Sequence, residues 1–200
     1  MKRLCLFSLI FIFVLASTIV YAEERPTFEK APLGIGNVAL KLNYIGFNDD
    51  TLEDLGVDDA FYVGLEGYAS IYPNLYLGGE VGYANPDSNV DIGGNEVKTD
   101  VTFIPIELNL KYAVQAYPNF VVGFGAGVSY NYVEANISGD GIEEGDDWLF
   151  GGQFFADLNY TIGSNLFFGV DAKYQITDDF EDWNANFSNW RIGGHIGIRF

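Results

Sequence analysis

The chain has 200 residues, enough for one domain, of which 48% are hydrophobic and 16% aromatic, and its formal net charge is −18. An acidic chain of this kind disfavours nucleic acid and supplies no basic groove for phosphates. Its single cysteine, Cys5, lies in the first apolar run, so the rest of the chain can form no disulfide, thiolate metal site or cysteine nucleophile.

Residues 1–22 read as a secretory signal peptide, with Lys2 and Arg3 as a basic start, an apolar run from Leu4 to Leu15, and a cleavage site at Val20-Tyr21-Ala22. An uncleaved anchor is the alternative, since Leu4 to Ala22 is nearly long enough to span. Beyond Ala22 no apolar run approaches the roughly 20 residues that a spanning helix needs. The mature chain therefore stays soluble outside the cytoplasm or crosses a membrane as strands. Residues 23–33 form a short lead, expected on the periplasmic side, and 34–200 form one domain.

From Val38 onward, apolar residues recur at every second position in eight segments. The first, Val38 to Tyr44, carries Lys41 on its other face. The second, Phe61 to Ile71, carries Glu66, and the third, Leu75 to Tyr83, carries Glu80. The fourth, Ile104 to Val114, carries Glu107 and Lys111. The fifth, Phe120 to Tyr130, alternates with Gly123, Gly125 and Gly127. The sixth, Phe150 to Tyr160, carries Asp157, and the seventh, Leu166 to Tyr174, carries Asp171 and Lys173. The last, Trp190 to Phe200, carries Arg191, His195 and Arg199. A period of two is the strand period, which a helix cannot hold on one face. Each run is close to the 9–11 residues or so of a tilted membrane strand.

Connections alternate in length. Tight turns fall at Tyr72-Pro73-Asn74, Ala116 to Asn119 and Gly163-Ser164-Asn165, while 48–59, 85–100, 133–147 and 178–188 read as long polar loops. Pro105 cannot donate to a ladder, so a bulge or a lost hydrogen bond is expected near the outer end of its strand. The predicted fold is all-β, an eight-stranded antiparallel up-and-down transmembrane barrel.

A lipocalin-like calyx would turn its apolar face inward. The lumen of eight strands is only wide enough for side chains to fill, and the bulky face does not fit it. The opposite face is rich in glycine (Gly64, Gly78, Gly82, Gly123, Gly125, Gly127 among them) and does fit. Aromatics agree: Tyr112, Phe120, Tyr160 and Phe200 fall near the short-turn ends, and Tyr44, Phe61, Tyr83, Tyr130, Tyr174 and Trp190 near the long-loop ends, as two interfacial girdles would.

The terminal run from Trp190 to Phe200 resembles the closing strand of small outer-membrane barrels of the OmpA/OmpX type. The resemblance implies the outer membrane of a Gram-negative cell envelope as location. It also implies a signal for the barrel-assembly machinery carried by Trp190, Ile196, Ile198 and Phe200, with outer-membrane lipid as surroundings and a monomeric state.

Five inward acids, Glu66, Glu80, Glu107, Asp157 and Asp171, face five inward bases, Lys41, Lys111, Lys173, Arg191 and Arg199. The turns set Asp157 opposite Asp171 and Glu66 near Glu80, so cations must stand beside them. With His195 these residues form an expected structural charge network in the lumen. Such a plug opposes a general diffusion pore. His195 lacks a nucleophile partner, so no enzyme is expected, nor any cofactor or metal centre. Twenty acids lie in or beside the long loops, where divalent cations or a surface ligand are conceivable partners. The functional expectation is a structural or surface-interaction role, in envelope integrity or adhesion. A narrow ion channel through the lumen is the alternative, and an envelope lipid-modifying enzyme the third.

Overall fold

The computed structural model describes residues 31–92, 95–138, 143–180 and 185–200; the expected signal peptide and most of the lead lie outside the described residues. In chain order these form β1 (Gly36–Phe47), helix α1 (Asp50–Asp54), β2 (Asp59–Tyr72), β3 (Leu75–Ala84), β4 (Asp87–Ile92), β5 (Asn95–Tyr117), β6 (Phe120–Ser138), β7 (Glu143–Ile162), β8 (Leu166–Thr177), β9 (Asp179–Phe180), β10 (Ala185–Asn186) and β11 (Asn189–Arg199). Eight of them close a ring, β1-β2-β3-β5-β6-β7-β8-β11, in which every pairing is antiparallel and β11 returns to β1.

Register follows the alternation. Leu42 and Leu108 point outward and are 60% and 57% exposed, whereas Lys111 and Arg191 on the opposite face are each 1% exposed. A slip of one residue would invert every such pair, so one apolar face fixes the register of the whole ring. The barrel is apolar outside and polar within.

Asn74 and Asn119 (φ +68 for both) and Gly163 (φ +61) occupy the three short turns. These left-handed positions accept asparagine or glycine with little strain. Pro105 costs ladder bonds rather than register. Pairing between β3 and β5 stops after Val81–Ile106 and resumes, unshifted, at Ala84–Phe103, while Pro105 stays opposite Asn131 on β6.

Two of the expected long loops are mostly strand. β5, β6 and β7 have 23, 19 and 20 residues, about twice what a span requires. Their outer parts join β4 in a sheet that stands beyond the ring. Inward alternation continues there as Val101, Phe103, Val133, Ala135 and Leu149, all buried, so these hairpins have their own apolar side to cover and pair their own backbone.

That side covers the loop end of the lumen. Ile45, Phe47, Tyr62 and Phe103 meet Leu52 and Val57 from the β1–β2 connection and Phe180 and Phe187 from the β8–β11 connection. The ring centroids of Phe47 and Phe103 lie 5.4 Å apart, and Phe103 stacks on Phe187 at 6.2 Å. A second apolar plug fills the short-turn end with Leu33, Tyr68, Tyr76, Ala113, Val121 and Phe155. The Leu33 N–H donates to Tyr76 Oη at 3.0 Å, so the end of the lead tucks into the barrel mouth.

Aromatic girdles ring both ends. Phe120 packs on Tyr160 (4.9 Å) and Tyr112 on Phe124 (5.5 Å) at the short turns; Tyr44 meets Phe61 (6.3 Å) and Trp190 (5.7 Å) at the loops.

Asp49 joins two connections. Its Oδ1 accepts from Thr51 N–H at 2.9 Å to cap α1, and its Oδ2 accepts from Asn186 N–H at 2.9 Å. Asp49→Ala should cost about 1 kcal/mol locally, the usual value of an N-cap. Limited proteolysis should then cut the 48–58 and 178–188 connections faster while the strands stay protected. Unchanged cleavage would show that the clamp contributes nothing.

Candidate functional site

The inward face of the ring gathers charge between the two apolar plugs. Lys41, from β1, places Nζ 2.7 Å from Asp171 Oδ1, 3.2 Å from Glu80 Oε2 and 3.5 Å from Glu66 Oε2. Lys173, from β8, sits 2.7 Å from Glu80 Oε2 and contacts Glu107. Arg191, from β11, donates from Nη2 to Glu107 Oε1 at 2.5 Å and keeps Nη1 3.5 Å from Glu80 Oε1. Glu80 and Glu107 face one another across β3 and β5, so a third like-charged pair joins the two expected from the turns, Glu66–Glu80 and Asp157–Asp171. Two carboxylates that close in a buried lumen require cations between them.

A smaller group lies beside it. Lys111 Nζ is 2.6 Å from Asp157 Oδ2 and stands over the Tyr68 ring at 4.9 Å. Asn159 donates to Asp157 and turns its Oδ1 toward His195 Nε2 at 2.7 Å, and His195 Nδ1 lies 3.3 Å from Asp171 Oδ2. His195 thus bridges the two groups. Arg199 stands apart: its side chain donates to the carbonyl oxygens of Pro32 (2.8 Å) and Ser164 (3.0 Å) at the short-turn end. Ten of the eleven expected lumen residues therefore share one connected lattice, and the eleventh ties down the chain before β1.

Tyr62 was not among the expected residues, yet its Oη donates to Glu80 Oε1 at 2.6 Å and its ring lies 4.7 Å from the Arg191 guanidinium carbon. Amides complete the lattice: Asn43 donates to Asp171 Oδ1 (2.8 Å) and Asn109 to Glu107 Oε2 (3.1 Å), while Gln153 donates to Asn109 Oδ1 (2.8 Å). All lie on the inward register, so the period-two stripe would have found them had neutral side chains been weighed with charged ones.

Among the described residues no group of three or more His, Cys, Asp or Glu side chains is arranged to hold a metal ion. The lattice carboxylates meet lysine, arginine, histidine or amide donors, and what such an arrangement does well is satisfy buried charge. The terminal residues Trp190, Ile196, Ile198 and Phe200 all face outward, and the Phe200 N–H donates to Gly36 O at 2.9 Å, closing the seam with β1.

A family model described as outer membrane protein beta-barrel domain matches residues 11–200. Among solved structures the chain is similar to Neisserial surface protein A at 14% identity, with a TM-score of 0.59, covering 82% of this chain and 97% of that one. It is also similar to the outer membrane protein OprG from Pseudomonas aeruginosa (13%, TM-score 0.54, covering 86% and 100%). A third is Ail, the attachment invasion locus protein of Yersinia pestis, in complex with the heparin analogue sucrose octasulfate (10%, TM-score 0.53, covering 81% and 97%). At such identities the likeness is one of fold. No curated protein matches the sequence.

Proposed function

The chain belongs to the outer membrane protein β-barrel domain family, and from that premise we propose that it is a sealed, non-conducting barrel that presents an acidic surface outside the cell. The supporting observation is the pair of apolar plugs. Among the described residues Phe47, Phe103 and Phe187 pack together at one end of the lumen and Leu33, Tyr68 and Tyr76 at the other, which places apolar side chains on both sides of the charge lattice. Eight strands leave only room for side chains, and the inward face here carries large buried ones, Arg191, Tyr62, Lys111 and Gln153 among them, which supports a plugged bore.

The lattice residues then serve the barrel rather than a substrate. The role at the surface falls to the connections, which hold nearly all the net charge, and the partner they favour is not a polyanion. An anionic glycan of the kind bound to Ail in its complex would meet like charge here. The outward stripe of Trp190, Ile196, Ile198 and Phe200 is the segment we assign to recognition by the barrel-assembly machinery.

Planar-bilayer recording on the refolded, full-length protein tests the sealed lumen. No discrete steps above the leak of the protein-free bilayer are expected. Regular steps that shrink in Lys111→Met or Glu107→Gln would overturn the proposal in favour of an ion path through the lattice.

A further inference from the structure

On its lipid-facing side the barrel carries two adjoining grooves between β6 and β11. The first, about 390 Å³, is formed where Gly152 and Ala126 leave a notch beside Val128, Phe150, Phe154 and Ile176. The second, about 500 Å³, is formed where Ala156 and Ala172 lie below Tyr174 and Trp190, with Phe154 as the ridge between the two. Register places both in the half of the barrel nearer the long connections: Val128, Gly152 and Ile176 form one row, and Ala126, Phe154, Tyr174 and Trp190 the next. That half faces the outer leaflet.

Directly above the first groove, the outward face of the projecting sheet carries an aromatic column. Trp148 stacks on Tyr130 (4.7 Å, 16°) and leans on Tyr132 (5.3 Å). Beyond it lies a collar of oxygen acceptors. Glu134 accepts from Tyr132 Oη at 2.9 Å, and Asn85 accepts from Tyr83 Oη at 2.9 Å while donating to Asp100 Oδ2 at 3.2 Å. This height is where headgroups lie against a barrel wall, and amphipathic rings prefer it.

We propose that this strip, continuous with the lipid interface, is a docking site for an outer-leaflet glycolipid with an uncharged sugar headgroup. Its acyl chains lie in the two grooves either side of Phe154. Its sugar packs on the Tyr130–Trp148–Tyr132 column and gives its hydroxyl protons to the carboxylates of Glu134 and Asp100. Carboxylates accept from hydroxyls and repel phosphates, which selects a neutral sugar over an anionic phospholipid. The site needs only the barrel's place in the membrane and is independent of whether the lumen conducts.

The test reconstitutes the full chain in vesicles of equal parts digalactosyldiacylglycerol, phosphatidylglycerol and phosphatidylcholine, and measures retained lipid by native mass spectrometry. Enrichment of the galactolipid over both phospholipids is expected. Trp148→Ala should reduce it about three- to tenfold, the size of one lost aromatic contact. Gly152→Leu should reduce it similarly by filling the groove. A side chain there points to lipid, and its Cβ would meet only Gly127 O at 3.7 Å, so that variant folds, as heat-modifiable gel mobility will verify. Leu77→Ala, outward-facing on β3 across the ring, should change nothing. Absence of galactolipid enrichment, preference for phosphatidylglycerol, or enrichment untouched by both variants overturns the proposal. Competition by free digalactose as strong as by the lipid also overturns it, in favour of a soluble glycan.

Discussion

Arg191→Met is expected to lower the unfolding free energy of the barrel by about 3–5 kcal/mol, the usual cost of leaving a buried charge without its partner. Arg191 is 1% exposed, lies 2.5 Å from Glu107 and packs its guanidinium over Tyr62. Methionine keeps much of the volume and none of the charge. Glu107 would keep Lys173, but Lys173 must then also serve Glu80, 2.7 Å away. Urea titration in lipid vesicles, followed by heat-modifiable mobility, reads the change. In the double variant Arg191→Met, Glu107→Gln, the orphaned carboxylate is gone and at least about half of the loss should return. A single variant within about 0.5 kcal/mol of wild type, the range of an ordinary surface change, would mean that the lattice is dispensable.

Gly82→Leu should destabilise by about 1–3 kcal/mol or more through overpacking. A Cβ at Gly82 would overlap the Tyr62 phenol ring, which cannot swing aside because its hydroxyl is bound to Glu80 at 2.6 Å and its other neighbour is Arg191. Glycine is needed at position 82 because another residue's ring occupies the space of its side chain. Tyr62→Ala combined with Gly82→Leu should lose less than the sum of the two single changes by at least about 1 kcal/mol, since the ring and the new side chain compete for one volume. The same unfolding titration applies. Strict additivity would show that Gly82 and Tyr62 do not share that space.

Much of this was legible from alternation alone. The eight membrane segments, the turn residues Asn74, Asn119 and Gly163, the facing of Asp157 and Asp171, and the outward greasy face all follow from a period of two read with turn chemistry. The projecting sheet is hidden in the sequence because 85–100 and 133–147 are rich in acids, and an acidic run reads as loop. Counting upward by twos from Glu107 gives Phe103 and Val101, and from Ser129 gives Val133 and Ala135, so the strand signal persists under the charge. The apolar ends of the lumen are hidden for a related reason. The inward stripe reads as small or charged, yet a closed tube must end somewhere, and Ile45, Phe47 and Leu149 serve that purpose. Arg199 shows the limit of parity. It has the inward register, but at the rim the chain before β1 is nearer than any carboxylate of the lattice.

The pairing of β1 with β11 joins residues 36–47 to residues 189–199, the most distant partners in the ring. Loop-closure entropy delays such a contact until the intervening strands are in place, so assembly is expected to be slow and to finish at this seam. Until then β1 and β11 each offer a row of unbonded amides to any similar edge nearby. A copy stalled before closure would expose both edges at once, which makes it the species most prone to pair with its own kind.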